Sequence, residues 1–346
     1  MKQPFICLGL CLVAALILIG CGQSGSKASG PKKVRIGFAM DALKQERWEK
    51  DRDIFLKRAE ELGAEVSLQT ADGSDDAQLK QVESLLSQGI DVLVIVPHNA
   101  EVAGAMVDMA KKQGVPVISY DRLVKNSSPD LYVSFDNERV GELEAKLLLD
   151  RAPKGNYVLI GGAPTDNNSL LLRKGQMNIL QPAFDRGDIK KVADQWAKEW
   201  LAEDAMNHVE NALTQNNNDV VAVVTSNDGT AGGAIQALAK QGLAGKVLVS
   251  GQDAELAALQ RILAGTQTMT VYKPISKLAP AAVEAAIALA KGEKLNITRS
   301  VNNGVIDVPS ILVEPIPIDK NNVDVVINDG FQKREDVYKG APAKQP

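Results

Sequence analysis

Polar side chains follow the predicted strands of this chain, where an open parallel sheet binds its ligands. The residues at these strand ends are Asp41, His98, Asn99, Asp121, Arg122, Asp166, Asn167, Asn168, Ser226, Asn227, Asp228, Gln252, Asp253 and Lys273. Carboxylates, amides and cationic donors suit a molecule whose hydroxyl groups each donate and accept hydrogen bonds. The set therefore predicts a site for a small, uncharged ligand rich in hydroxyl groups, such as a sugar.

Aromatic side chains are scarce, and the tryptophans are the natural platforms for the C–H face of a sugar. They are Trp48, Trp196 and Trp200, in a chain with 4% aromatic residues. Core packing is the alternative for each: it is favoured for Trp196, disfavoured for Trp200 and left open for Trp48. A phosphorylated ligand is disfavoured, because the glycines after the strand at 157–160 lack the spacing of a phosphate loop,.

Enzyme chemistry finds little support in the sequence. The two histidines, His98 and His208, are far apart, and no serine elbow, HExxH motif or metal-ligand cluster occurs,. Asp121 and Asp253 leave a glycosidase as an alternative. Each has a cationic or amide neighbour that keeps a carboxylate ionised, which suits an acceptor better than a general acid. We therefore expect no catalytic residue, no cofactor and no metal.

The elements that must position these residues alternate between strand and helix. Apolar runs at 34–40, 92–96, 115–119, 157–160, 220–224 and 247–250 predict strands buried on both faces,. The helical segments between them end at glycines, namely Gly63, Gly89, Gly114 and Gly242,. This pattern predicts an α/β fold with doubly wound parallel sheets.

An internal similarity indicates two lobes. Residues 91–114 align with residues 219–242 without a gap, from a strand through Asn99 and Asn227 to the closing glycines. Each copy contains a strand and a helix that need a sheet of their own, so two lobes built on one plan is the simplest interpretation. A chance likeness between two similar units is the alternative.

Length and charge agree with two lobes and exclude one class of partner. A chain of 346 residues with 45% hydrophobic side chains supports two cores of about 130 to 150 residues each,. The net charge is −4, and the longest basic run at the start of the body is Lys32-Lys33. A nucleic-acid-binding surface is therefore not expected.

The amino terminus reads as an export signal. An apolar run at 5–19 is short for a membrane span, which needs about 20 residues, and Leu18-Ile19-Gly20-Cys21 resembles a lipoprotein cleavage site,. We predict a signal peptide over 1–20, lipidation of Cys21, a flexible tether over 21–32 and a body outside the cytoplasm. An uncut membrane anchor is the alternative. All three cysteines precede the body, so no disulfide is expected there,.

Several longer motifs resemble the D-xylose-binding proteins of ATP-driven sugar importers. They are ERWEKDRD (46–53), YDR (120–122), FDNE (135–138), DNN (166–168), TSND (225–228), SGQD (250–253) and TMTVYKP (268–274). The resemblance extends from Lys33 to about Lys333. It implies that the sugar-binding residues are Arg47, Trp48, Asp121, Arg122, Asp166, Asn168, Trp200, Asn227, Asp253 and Lys273. Glucose receptors of similar build use nearly the same residue types, so glucose or another pentose or hexose stays open as the ligand.

The resemblance also implies the type I periplasmic-binding architecture, in which the chain crosses three times between lobes. We place the crossings near Asp136, Pro274 and Gly304. The N-terminal lobe is then 33–136 with 274–303, the C-terminal lobe 137–273 with 304–335, and the tail 336–346.

Hinge closure around one monosaccharide, followed by delivery to an ABC transporter permease, is the function this family implies for a monomer held at the membrane by its lipid. A sugar-sensing co-receptor for a membrane kinase or chemoreceptor is an alternative that the sequence does not separate from transport. A transcription regulator of the lactose-repressor type shares the core, but it requires a helix-turn-helix where the export signal stands.

Overall fold

The computed structural model describes residues 33–340. The predicted signal peptide, Cys21, the tether over 21–32 and residues 341–346 of the predicted tail lie outside the described residues. Between residues 33 and 340, no helix has both the length and the apolar character that a membrane span requires.

Strands and helices alternate along most of the described chain, as the sequence predicts. The strands are β1 Arg35–Met40, β2 Glu65–Thr70, β3 Val92–Ile95, β4 Val117–Tyr120, β5 Leu131–Phe135, β6 Gly155–Gly161, β7 Ile189–Trp196, β8 Ala222–Thr225, β9 Leu248–Val249, β10 Thr270–Tyr272, β11 Arg299–Asn302, β12 Asp307–Val313 and β13 Ile316–Ile318. The helices are α1 Glu46–Glu61, α2 Asp75–Ser87, α3 Ala103–Lys112, α4 Asn137–Arg151, α5 Asn167–Asp185, α6 Ala202–Gln215, α7 Asp228–Lys240, α8 Leu256–Leu263, α9 Ile275–Ala290, α10 Asp324–Asn328 and α11 Arg334–Val337. A short turn spans Lys198–Trp200, with left-handed backbone at Glu199 and Trp200.

The first lobe, called the N-lobe below, is built on a seven-stranded sheet of order β11-β12-β5-β4-β3-β1-β2. All neighbours in it are parallel except β11, which runs antiparallel to β12. Strand β3 shows why its residues are all apolar: Val92 and Val94 pack into the core on one face, and Leu93 and Ile95 pack into the core on the other. Helices therefore cover both faces, and the sheet is doubly wound.

The second lobe, called the C-lobe, repeats this plan on a four-stranded parallel sheet of order β7-β6-β8-β9. Along β6, Val158 and Ile160 enter one core while Tyr157 and Leu159 enter the other. The glycines predicted to end helices in both lobes have left-handed backbone; φ is +74° at Gly63 and +66° at Gly242, for example. The predicted fold class is confirmed.

Three connections join the lobes. The first leaves β5 through Asp136 into α4, which packs on α5 of the C-lobe. The second leaves β10 through residues 273–274 into α9, which packs on α1 of the N-lobe. The third runs through residues 314–315 into β13, which pairs with β10.

The boundary predicted at Gly304 is therefore wrong. Gly304, with φ +96°, lies in the turn of a hairpin between β11 and β12. Strand β12 then pairs with β5, with Ser310 opposite Tyr132. Residues 304–313 consequently belong to the N-lobe sheet, since β12 covers the edge that β5 would otherwise expose. The Asn303-Gly304 pair is a hairpin signal that could have located this turn,.

Candidate ligand-binding site

A cavity lies between the lobes at the carboxyl ends of both sheets,. All ten residues that the sequence predicts for the site line it, together with two glutamines. The lining residues are Gln45, Arg47, Trp48, Asp121, Arg122, Asp166, Asn168, Trp200, Asn227, Gln252, Asp253 and Lys273. The fold therefore brings the predicted set together, although its members are widely separated in the chain.

Arg47, in the first turn of α1, is the central cation of the N-lobe wall. Its Nη2 lies 2.8 Å from Asp51 Oδ2, and its Nη1 lies 2.8 Å from Asp121 Oδ2. Asp253 of the C-lobe lies 4.0 Å from the same Nη1. Burial alone would lower the pKa of Arg47, but these three carboxylates outweigh burial and raise that pKa,. The guanidinium is a fixed positive charge that carboxylates of both lobes approach.

Arg122 is the second buried cation and links the lobes directly. Its Nη1 lies 2.7 Å from Asp41 Oδ2 in the N-lobe, and its Nε lies 2.9 Å from Asp166 Oδ2 in the C-lobe. Nη1 also donates to the Pro97 carbonyl at 3.2 Å. The remaining oxygen of Asp41 lies 2.9 Å from His98 Nδ1. This chain of charged groups fixes the guanidinium plane at the edge of the cavity.

Asp121 has left-handed backbone, with φ +59°. Its carbonyl accepts hydrogen bonds from Tyr132 Oη at 3.0 Å and Ser134 Oγ at 2.5 Å, which hold this conformation. Asn168 of the C-lobe donates to its Oδ1 at 3.2 Å. Burial raises the pKa of Asp121, but Arg47 and the other two cations of the cavity bring it below the usual value. This direction agrees with an ionised Asp121, and its role as an acceptor for the ligand stays a prediction.

Asp166 and Asn227 begin C-lobe helices and also face the cavity. Asp166 Oδ1 accepts from the Asn168 N–H at 2.9 Å, and Asn227 Oδ1 accepts from the Thr230 N–H at 2.8 Å. Asp166 Oδ2 also pairs with Arg122 Nε, and Asn227 is one of the residues that line the cavity. Helix capping thus orients two of the ligand-facing groups.

Asp253 and Lys273 form a buried pair on the C-lobe wall. Lys273 Nζ lies 2.9 Å from Asp253 Oδ1, with the two side chains 5% and 6% exposed. Asp253 and Ala254 both have left-handed backbone, with φ +99° and +53°. Hydrogen bonds from their amides to the Val271 carbonyl at 2.9 Å and to Thr270 Oγ1 at 3.2 Å hold this turn. Strand β10, which also leads into Lys273, therefore positions both members of the pair.

Two of the three tryptophans line the cavity. Trp48 is 4% exposed, and the Arg47 guanidinium carbon lies 4.3 Å from the centroid of its ring. Trp200 has φ +59°, and its ring lies on the backbone at Gly162, where a Cβ atom would be 2.2 Å from a ring carbon. Trp196 packs instead against Gly161, away from the cavity. Trp48, which the sequence left open, packs in the hydrophobic core of the N-lobe and also lines the cavity.

The side chains that line the cavity carry equal numbers of positive and negative charges, but some of their buried polar atoms lack hydrogen-bond partners among residues 33–340. Its three cations, Arg47, Arg122 and Lys273, face three carboxylates, Asp121, Asp166 and Asp253. Arg47 Nε, Trp200 Nε1 and Gln252 Oε1 are buried and have no hydrogen-bond partner among residues 33–340. Buried polar atoms are normally paired, so these point to a polar guest. An uncharged guest leaves the balance of the ion pairs undisturbed.

Gln45 and Gln252 line the cavity but were not predicted as site residues. Gln252 is among the strand-end residues found from the sequence, and its neighbour Asp253 was preferred to it. Gln45 precedes α1 in the first loop between strand and helix, a position that faces the ligand in sheets of this kind,. Its place before the helix is the signal that could have identified it.

The histidines take no part in a catalytic arrangement. His98 contacts Asp41, and His208 Nε2 lies 3.3 Å from the Trp196 carbonyl. Over the described part of the chain, no three or more His, Cys, Asp or Glu side chains are grouped so that they could hold a metal ion.

Comparisons with known proteins identify the relatives of this chain. Residues 36–294 match the periplasmic binding protein domain. The D-xylose-binding periplasmic protein of Haemophilus influenzae is 54% identical over 94% of this chain and 98% of its own length. That of Escherichia coli is 54% identical over 90% of this chain and 94% of its own. A carbohydrate transporter solute binding protein from Chloroflexus aurantiacus, solved with D-glucose, is 30% identical, covers 88% of this chain and 98% of its own, and superposes with a TM-score of 0.83.

Proposed function

The chain belongs to the periplasmic binding protein family, and we propose that it captures D-xylose outside the cytoplasm and delivers it to an ABC importer. As a member of this family it is a binding receptor and not an enzyme. The choice of D-xylose rests on the two relatives that are 54% identical and carry that sugar in their names. D-glucose is the alternative, because a solved relative with 30% identity holds it.

The observation that carries this proposal is the charge-balanced cavity with buried polar atoms that lack partners. Four or five hydrogen bonds that involve charged groups contribute about 1.5 to 3 kcal/mol each. Together with one stacked ring, they support roughly micromolar affinity after the cost of association.

We assign the sugar contacts to both lobes. Those of the N-lobe are Arg47, Trp48, Asp121 and Arg122, and those of the C-lobe and its boundary are Asp166, Asn168, Trp200, Asn227, Asp253 and Lys273. A sugar that bonds to both groups favours the arrangement in which the lobes are closed. The permease of the importer then recognises the closed receptor, which acts as a monomer.

Isothermal titration calorimetry against a panel of pentoses and hexoses tests the ligand. We expect the tightest binding for D-xylose, at roughly micromolar Kd. If D-glucose binds more tightly than D-xylose, D-glucose is the ligand to be assigned to this receptor. An absence of heat with every sugar would overturn the assignment of a sugar receptor. An Asp53→Ala variant, changed at an exposed position of α1, serves as the control and should bind like the wild type.

The membrane attachment is a separate proposal that rests on the sequence of residues 1–32. Cleavage after Gly20 and acylation of Cys21 would anchor the receptor outside the cytoplasm. Labelling of growing cells with a radioactive fatty acid should mark the wild type and not a Cys21→Ser variant. Equal labelling of both proteins would reject lipidation at Cys21. Analytical ultracentrifugation of the body would test whether the receptor is a monomer.

A further inference from the structure

Outside the cavity, the first two turns of α1 contact the C-lobe through two charged side chains. Glu46 Oε2 accepts from the Leu256 N–H at 3.0 Å, and Glu46 Oε1 accepts from Gln332 Nε2 at 2.6 Å. Lys50 Nζ donates to the Phe331 carbonyl at 2.9 Å and lies 4.3 Å from the centroid of the Phe331 ring. Glu46 and Lys50 also bind each other, at 2.6 Å. We call this pair the clasp.

The clasp joins segments that belong to different lobes. Helix α1 packs on α9 of the N-lobe, whereas α8 packs on α7 and α11 of the C-lobe. The contacts of Glu46 span 210 residues to Leu256 and 286 residues to Gln332. Separation of the lobes at the cavity would break these contacts, since Glu46 and Lys50 move with α1.

The clasp is also connected to the cavity. Arg47 and Trp48, which line the cavity, lie between Glu46 and Lys50 in the same two turns of α1. A ligand that holds Arg47 and Trp48 against the C-lobe therefore brings Glu46 and Lys50 onto their partners. The clasp itself does not line the cavity.

We propose that Glu46 and Lys50 are positioning residues that stabilise the closed form and so set the affinity for sugar without touching it. This inference rests on the proposed function, in which closure accompanies binding. The apparent Kd equals the intrinsic Kd divided by the fraction of receptor that is competent to close. Loss of the clasp lowers that fraction, so it weakens the binding of every ligand by the same factor. A cavity residue, in contrast, changes the preference between ligands.

The test compares Glu46→Ala and Lys50→Met with the wild-type protein, in calorimetry and stopped-flow binding of the two tightest sugars from the panel. We expect each variant to bind both sugars about tenfold more weakly, with an unchanged ratio between the sugars and most of the change in the dissociation rate. Glu49→Ala is the matched control, because Glu49 is exposed on the same helix and is not among the residues that line the cavity between the lobes. Lys50→Met keeps the apolar stem over Phe331, so this variant still tests the clasp if Glu46→Ala does not fold.

Affinities within about twofold of the wild type, or losses that differ between the two sugars, would overturn the clasp. Failure of the wild type to bind any sugar would overturn the proposed function instead. The clasp would then be judged by small-angle scattering of the sugar-free proteins. A larger radius of gyration for Glu46→Ala than for Glu49→Ala supports it, and equal radii reject it.

Discussion

The two walls of the cavity hold their polar groups by different means. In the N-lobe, Arg47 lies between two buried carboxylates of its own lobe, Asp51 and Asp121. In the C-lobe, Trp200 and Asp253 face the cavity because their backbone is left-handed, with φ +59° and +99°. The N-lobe wall therefore depends mainly on the ion pairs around Arg47 and the C-lobe wall mainly on backbone conformation, although Asp121 also has left-handed backbone and Asp253 also pairs with Lys273.

Because of this difference, we expect substitutions in the two walls to affect folding stability and sugar affinity to different degrees. Removing one member of a buried ion pair leaves its partner as an uncompensated charge, so changes in the N-lobe wall should cost folding stability as well as binding. A conservative change on the C-lobe wall leaves the backbone in place and should mainly cost binding. Strained backbone at ligand-holding residues is common, since the surrounding structure maintains it.

The largest effect is expected at Arg47. In Arg47→Met, the carboxylates of Asp51 and Asp121 lose their cation, so the free energy of unfolding should fall by about 3 to 5 kcal/mol and sugar binding should be lost. Urea denaturation followed by circular dichroism measures the first effect. Arg52→Met, at a surface pair with Asp53, is the control and should change the free energy of unfolding by less than about 1 kcal/mol,. If Arg47→Met lowers the free energy of unfolding by as little as this control, ion pairs around Arg47 do not stabilise the N-lobe wall.

Asp253→Asn should produce the next largest effect, and mainly on affinity. Asparagine tolerates left-handed backbone, and its oxygen can still accept from Lys273, so the free energy of unfolding should fall by less than in Arg47→Met, which leaves two carboxylates without a donor,. The lost charge should weaken sugar binding by about 2 kcal/mol, measured by calorimetry. Unchanged affinity would remove Asp253 from the site, and a loss of stability as large as that of Arg47→Met would erase the difference between the walls.

Gly162→Ala should displace the Trp200 ring, because the added Cβ would lie 2.2 Å from it. We expect sugar binding to weaken by about 1 kcal/mol through loss of stacking, with a smaller tryptophan fluorescence change on sugar addition. Trp196→Phe removes a tryptophan outside the cavity and should keep the fluorescence change. If Gly162→Ala keeps the full change as well, Trp48 and not Trp200 reports the sugar.

The smallest effect is a pH dependence of the N-lobe wall through His98. The hydrogen bond to Asp41 raises the pKa of His98 above 6.5, so folding favours the protonated imidazole. This contribution is complete below pH 6.5 and is lost as pH rises through the raised value,. The difference in unfolding free energy between the wild type and His98→Asn should therefore be larger at about pH 5.5 than at about pH 8.5, by less than about 1 kcal/mol. A difference in unfolding free energy that does not change with pH would contradict this contribution of His98.

Sequence patterns were sufficient to predict the fold class and most members of the cavity wall. Runs such as 92–96 are apolar throughout because both faces of β3 are buried, and parallel strands align their carboxyl ends on one edge,. Residues such as Asp121, Asn227 and Asp253 could therefore be found at the end of each predicted strand. The family resemblance selected ten residues and passed over Gln252, which lines the same cavity and has a buried side-chain oxygen without a hydrogen-bond partner among residues 33–340.

The way in which those residues are held could be learned only from the folded chain. The left-handed backbone of Trp200 and Asp253 depends on contacts with Gly162 and β10, which local preferences do not encode,. The pairing of β12 with β5, which moved the third crossing beyond Gly304, and the contact of Glu46 with Leu256 depend on segments far apart in the chain. Local sequence patterns report burial and chain direction, whereas contacts between distant segments exist only once both lobes have folded and met.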